Sequence, residues 1–180
     1  MEHEKKEILT LQKLAQNLAT FAIDRTDLKE LLAAIPENSA PNLTAIEYEL
    51  QILKILSVGW AISFFIPITN KNKSPLTRTF WELVREISKN ISALTKTTTG
   101  LSIDYFEVLK ERLNTYLEAM KGNSDETQNP AAIIGPVFAR ACKCESDTFA
   151  ILTGTKIFTL TLGAVKEYLT DVKIDEIEFN

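Results

Sequence analysis

The chain has 180 residues, of which 45% are hydrophobic and 24% charged. That composition suits one packed domain over residues 1–180 and lies far from the weakly hydrophobic, highly charged regime of disorder. A formal net charge of -4 and a pI near 5.2 remove the basic face with which a nucleic-acid binder neutralises phosphates, so no nucleic-acid partner is expected.

Helical periodicity runs along almost the whole chain. Ile8, Leu11, Ala15, Leu18 and Ala22 recur at alternating steps of three and four, one face of a first helix. The stretch DRTD at 24–27 interrupts it with capping-type residues, and Leu28, Leu31, Leu32 and Ile35 resume the pattern, so the first quarter is one bent helix or two joined ones. PENSAP, residues 36–41, is a connection framed by prolines. A second helix follows at about 43–65. Its first half is amphipathic, with Leu43, Ile46, Leu50 and Leu53 opposite Glu47, Gln51 and Lys54, and its second half is apolar all round, as in a helix surrounded by others.

Residues 55–68, ILSVGWAISFFIPI, carry no charge. A spanning helix needs about 20 apolar residues, so a buried central helix is the better reading and no membrane span is expected.

Ser74 and Pro75 make a cap-then-proline helix start, and Phe80, Val84, Ile87, Ile91 and Leu94 give the apolar seam of a third helix. Arg78, Glu82, Arg85, Lys89 and Lys96 form a charged stripe on its other side, read as a solvated face. Gly100 marks the stop and Ser102 the cap of a fourth helix, whose face is Phe106, Leu109, Leu113, Tyr116, Leu117 and Met120. The polar tract 121–131 reads as a loop. Asn129 and Pro130 start the next helix, and Pro136 is expected to kink it or divide it in two. Ser146 or Asp147 caps the last helix, in which Ile151, Thr155, Phe158, Leu162, Val165 and Leu169 share a face; FTLTL inside it alternates like a strand, but too briefly to outweigh the helical spacing. Gly154 and Gly163 weaken that helix and leave room for another backbone, and the tail from Val172 is short and extended or frayed. The expected fold is an all-α bundle of six or seven helices around the helix at 43–65.

Chemistry-bearing patterns are scarce. Two cysteines are too few for a secreted disulfide scaffold, and the start MEHEKKEILTLQKL lacks the apolar core of a signal peptide, which places the expected compartment in the cytoplasm. The cysteines fall in ARACKCESD, residues 139–147, one residue apart. On a regular helix that spacing puts the thiols roughly 200° apart around the axis. Cys142 then lies inside, and Cys144 lies near the surface as the candidate reactive thiol. His3 is the only imidazole, which leaves no zinc ligand set and no haem ligand of the usual kind, so no metal and no cofactor are expected. The phosphate-loop and dinucleotide patterns are absent, as is the Glu-X-X-His motif of di-iron bundles. Glu82 with Glu86, and Glu107 with Glu111, sit one turn apart, each near a lysine or arginine as in surface ion pairing.

What remains is an aromatic inventory in which Trp60, Phe64, Trp81 and Phe158 are the candidate ligand-binding residues, with small or hydroxyl-bearing Ser57, Gly59, Ser63, Gly154 and Thr155 around them. The leading expectation is a non-catalytic bundle that binds a protein partner or a second copy of itself. The alternative is a binding or sensing domain for a small apolar ligand, held between the helix at 43–65, the helix after Ser74 and the last helix. An enzyme working through carboxylates ranks last.

Overall fold

The structure, a computed structural model, describes residues 7–35, 43–122 and 129–174. His3, the PENSAP connection and most of the polar tract after Lys121 lie outside the described residues. The elements run β1 (Glu7–Leu9), α1 (Leu11–Ile23), α2 (Thr26–Ala33), α3 (Leu43–Phe65), α4 (Lys73–Thr99), α5 (Tyr105–Gly122), α6 (Pro130–Ala141), α7 (Thr148–Asp171) and β2 (Val172–Ile174). The protein is an all-α bundle with one small parallel pairing.

That pairing is the first departure from the sequence reading. The Thr10 hydroxyl accepts the Lys13 amide at 3.1 Å and starts α1 at Leu11, so Ile8 lies outside the helix, exposed on β1, while Leu9 is buried. β1 pairs in parallel with β2, Glu7 opposite Val172 and Leu9 opposite Ile174. Two three-residue strands are marginal alone, and this pair is held because Leu9 and Val172 are buried in the core.

α3 is the central helix. Every residue from Ile52 to Gly59 is buried, and α3 touches each of the other helices. Its first half is amphipathic, with Ile46, Leu50 and Leu53 buried and Glu47 and Gln51 part-exposed, but two positions depart: Leu43 is exposed, and Lys54 on the expected polar side is fully enclosed. The junction between α1 and α2 covers that side. There the Gln51 side chain donates to the Ala22 carbonyl at 2.8 Å, and Lys54 donates to the Asp24 carbonyl and to Asp27, both at 2.8 Å.

Several helix ends follow the expected chemistry. Gly100 takes a left-handed conformation with φ of 75° after α4, Asn129 Oδ1 accepts the Ala131 amide at 3.1 Å, and Asp147 Oδ1 accepts the Ala150 amide at 2.7 Å. Others shift. α4 starts after Asn72, which leaves Pro75 still within the first turn, where no intrahelical donor is needed. Asp104, rather than Ser102, receives the Phe106 and Glu107 amides at 3.1 Å each. Leu94, expected on the apolar seam of α4, is exposed.

α6 runs unbroken through Pro136. Pro136 and Ala132 both face solvent, so the carbonyl that loses its donor lies where water reaches it. α6 and α7 approach through two glycines. A Cβ on Gly154 would lie 2.5 Å from the Phe138 ring, and one on Gly135 would lie 2.7 Å from the Ile151 carbonyl oxygen. FTLTL is helical within α7.

Candidate functional site

The four candidate aromatic residues do not converge. Trp60 meets Tyr116 and Phe158 edge-on, each at 5.9 Å between ring centroids, a knot joining α3, α5 and α7. Tyr116 and Phe158 are almost wholly enclosed. Trp81 lies elsewhere, against Gly59, where a Cβ would collide with its ring, and edge-on to Phe80 at 5.2 Å. Trp81 lines a small apolar cleft of about 240 Å³ with Leu56, Leu109 and Leu113. The third wall of that cleft is α5, not α7. Phe64 is 58% exposed and belongs to neither group.

The small residues around them serve packing. Gly59 receives Trp81 and Gly154 receives Phe138. The Ser57 hydroxyl donates to the Leu53 carbonyl at 2.7 Å, the Ser63 hydroxyl to Gly59 at 3.2 Å and the Thr155 hydroxyl to Ile151 at 3.0 Å. Each hydroxyl is turned back onto its own helix, and that of Thr155 also lies 3.3 Å from the Ala131 carbonyl of α6.

The two cysteines are closer than helical spacing implied. α6 ends at Ala141, and Lys143 takes φ of 59°, a left-handed conformation that reverses the chain. The Cys144 amide donates to Ala139 and the Lys143 amide to Arg140, both at 2.9 Å, the paired bonds of a Schellman turn. The turn folds Cys144 inward, so both thiols are buried. They interact with each other, and the Cys144 thiol also donates to the Ala139 carbonyl at 3.4 Å. Burial, then Asp147, pushes the Cys144 thiol up rather than down, and a thiol held protonated is a poor nucleophile.

Ionic groups that sequence reasoning assigned to the surface divide sharply. Glu82, Glu86, Glu107 and Glu111 are exposed, with Glu86 bound to Lys89 at 2.6 Å and Glu107 to Lys110 at 2.5 Å. Glu49, which no sequence pattern singled out, is buried. Arg112 grips it with two bonds, Nε to Oε2 at 2.8 Å and a terminal nitrogen to Oε1 at 2.6 Å. The surrounding groups include Tyr48, Tyr105, Tyr116 and Cys142, and the Tyr116 hydroxyl has no hydrogen-bond partner among the described residues. The only legible signal was indirect: Glu49 falls between Ile46 and Leu53 on the apolar side of α3. Among the described residues no group of three or more His, Cys, Asp or Glu side chains could hold a metal ion.

This cluster sets an alkaline limit on stability. Burial, followed by neighbouring groups, raises the Tyr105 and Tyr116 phenols and the Cys142 thiol well above their ordinary range. The unfolded chain releases those protons from about pH 8.5 for the thiol and about pH 10 for the phenols, while the folded chain retains them. Above those values the unfolded state binds fewer protons, so stability falls as pH rises. Urea midpoints at pH 7.5, 9 and 10.5 are expected to fall in that order, with a shallower fall in Cys142→Ala carrying Tyr116→Phe. An unchanged midpoint across that range would contradict the assignment.

The remaining feature is the outer face of α7. α7 is one described helix long and apolar enough, by length and composition, to cross a membrane, and 39% of its apolar window is buried. A central helix of a bundle passes the same test, and α7 packs along α3 and α6. Phe149, Leu152 and Leu160 are exposed and, with Lys156 and Gly163 between and after them, share one stripe of the helix. No protein-family model matches the chain, and searches among curated proteins and solved structures gave no match either.

Proposed function

We propose that the protein is a non-catalytic helical bundle that works by association, docking a second copy of itself on the outer face of α7. The observation that carries this reading is the stripe of Phe149, Leu152 and Leu160, exposed at 45%, 58% and 51% on a helix apolar enough to be a core element. Clustered exposed apolar side chains mark interaction surfaces more often than isolated ones do.

The spacing along the stripe favours an antiparallel pair about a two-fold axis at Lys156. Leu152 then faces Leu160 of the other copy, and Phe149 faces Gly163, which makes the contact self-complementary as a two-fold interface requires. Gly163 supports the arrangement independently. A Cβ there would meet nothing within 4 Å, so within one chain the glycine only weakens α7, by about 1 kcal/mol relative to alanine. Under a second copy's Phe149 ring its missing side chain has a purpose. The two Lys156 stems can lie across the apolar contact with their amines turned to water.

Sedimentation equilibrium tests the reading. The apparent mass is expected to climb from 20.2 kDa toward twice that value with concentration. Leu152→Glu with Leu160→Glu is expected to stay at the single-chain mass with its helical signal intact, a loss of at least about thirtyfold in affinity if these are central contacts. A wild-type chain that keeps the single-chain mass up to its solubility limit would refute self-association.

A further inference from the structure

The charged stripe of α4, read from sequence as a solvated face, borders a cleft. The apolar cleft beside Trp81 has a volume of about 240 Å³, and a second, polar cleft of about 380 Å³ lies toward the end of α4 and the start of α5. Phe106 and Lys110 line both, so the two adjoin as one groove with an apolar end and a polar end. Helical spacing builds the change of character. On α4, Trp81 lines the apolar end and Arg85, one turn later, the polar end; on α5, Leu113 and Leu109 are succeeded by Lys110 and Phe106.

The polar end is close to charge balance, and what it offers an anion is one cation without a hydrogen-bonded partner. Its lining carries Arg85, Lys89 and Lys110 against Asp104 and Glu107, and those carboxylates are engaged. Asp104 Oδ1 receives the first amides of α5 at 3.1 Å, and Glu107 holds Lys110 at 2.5 Å. Lys89 is held by Glu86 at 2.6 Å. Arg85 is exposed and, although its charge helps hold the Glu86 carboxyl below the ordinary range after the larger effect of Lys89, it makes no hydrogen bond or close ion pair among the described residues, so its donors remain available. A guanidinium presents a planar fork that matches a carboxylate with two parallel bonds.

We infer that this groove binds a monomeric amphipathic carboxylate of short to medium chain length, its aliphatic tail against Trp81, Leu56 and Leu113 and its carboxylate on Arg85. Apolar lining with a few placed polar groups is the usual build of a small-molecule site. The groove lies on α3, α4 and α5 and uses nothing from the outer face of α7, so it stands or falls apart from self-association.

The probe is octanoate, and the reporter is Trp81 in a Trp60→Phe background, which leaves it as the remaining indole of the chain's two tryptophans. Octanoate is expected to change Trp81 fluorescence saturably, and octanol, with the same chain length and no charge, to bind about tenfold more weakly. Arg85→Gln, a change at an exposed position, is expected to make the two bind alike. Leu113→Phe, which fills part of the apolar end without adding an indole, is expected to weaken both responses at least severalfold. Absence of a saturable response to octanoate, or octanoate affinity unchanged by Arg85→Gln, would overturn the assignment.

Discussion

Arg112→Ala is expected to lower the free energy of unfolding by about 3 kcal/mol at neutral pH. The reason is the partner it abandons. The Glu49 side chain is 5% exposed and spends both oxygens on Arg112. Without the guanidinium, a carboxylate stays in a site ringed by phenols and a thiol, its two strongest donors gone. The cost is the stranded charge rather than the intrinsic worth of the pair, because a buried ion pair loses about as much in desolvation as it gains in attraction. A second variant separates these. Glu49→Leu with Arg112→Met removes both charges at similar volume and is expected to recover most of the loss. Urea unfolding at pH 7 measures both, compared at constant m. A double variant as unstable as Arg112→Ala would show that the pair contributes attraction of its own.

The same logic predicts a loss of about 2 kcal/mol for Asp27→Asn, the scale of one charged hydrogen bond. Lys54 Nζ is enclosed, bound to Asp27 Oδ1 and the Asp24 carbonyl and lying 4.5 Å from the centre of the Phe21 ring. The Asp27 side chain is 36% exposed, so solvent softens the loss relative to Glu49 and Arg112. Lys54→Met is expected to cost less than Asp27→Asn, since it removes the buried charge instead of stranding it. Thermal or urea unfolding of the two variants reads the order. The reverse order would mean that the Lys54 contacts to the α1 and α2 junction matter more than the charge.

The architecture was legible because helix-building signals are local. Asn129, Asp147 and Gly100 each announce a helix end through one side chain or one backbone conformation, and the continuous apolar run of α3 announces its burial. What stayed hidden depends on elements distant in sequence. Lys54 reads as surface until the junction at residues 24–27 closes over it, and Glu49 reads as one polar residue among many until Arg112 arrives from α5. β1 and β2 are three residues each, too short to show a period, and they pair across nearly the whole chain. Cys142 and Cys144 were separated by assuming that a helix continues. Lys143, in a conformation that more often calls for glycine, ends it instead. Of the candidate aromatic set, Trp60 and Phe158 meet while Trp81 and Phe64 lie apart from them. Trp60 and Phe158 share a knot with Tyr116, while Trp81 faces α5, because helices of similar pattern do not declare their neighbours.

The proposed association of two chains through α7 is tested most directly by a residue on its two-fold axis. Lys156 is exposed at the middle of the stripe, and in an antiparallel pair its counterpart stands opposite. A two-fold contact brings axial positions within reach of a disulfide, whose Cα atoms lie about 4.4 to 6.8 Å apart. Lys156→Cys under mild oxidation is expected to give a covalent dimer in high yield, whereas Lys89→Cys, on the exposed side of α4, is expected to stay single-chain under the same conditions. A Lys156→Cys chain that remains uncrosslinked, or that crosslinks no better than Lys89→Cys, would contradict the proposed docking face.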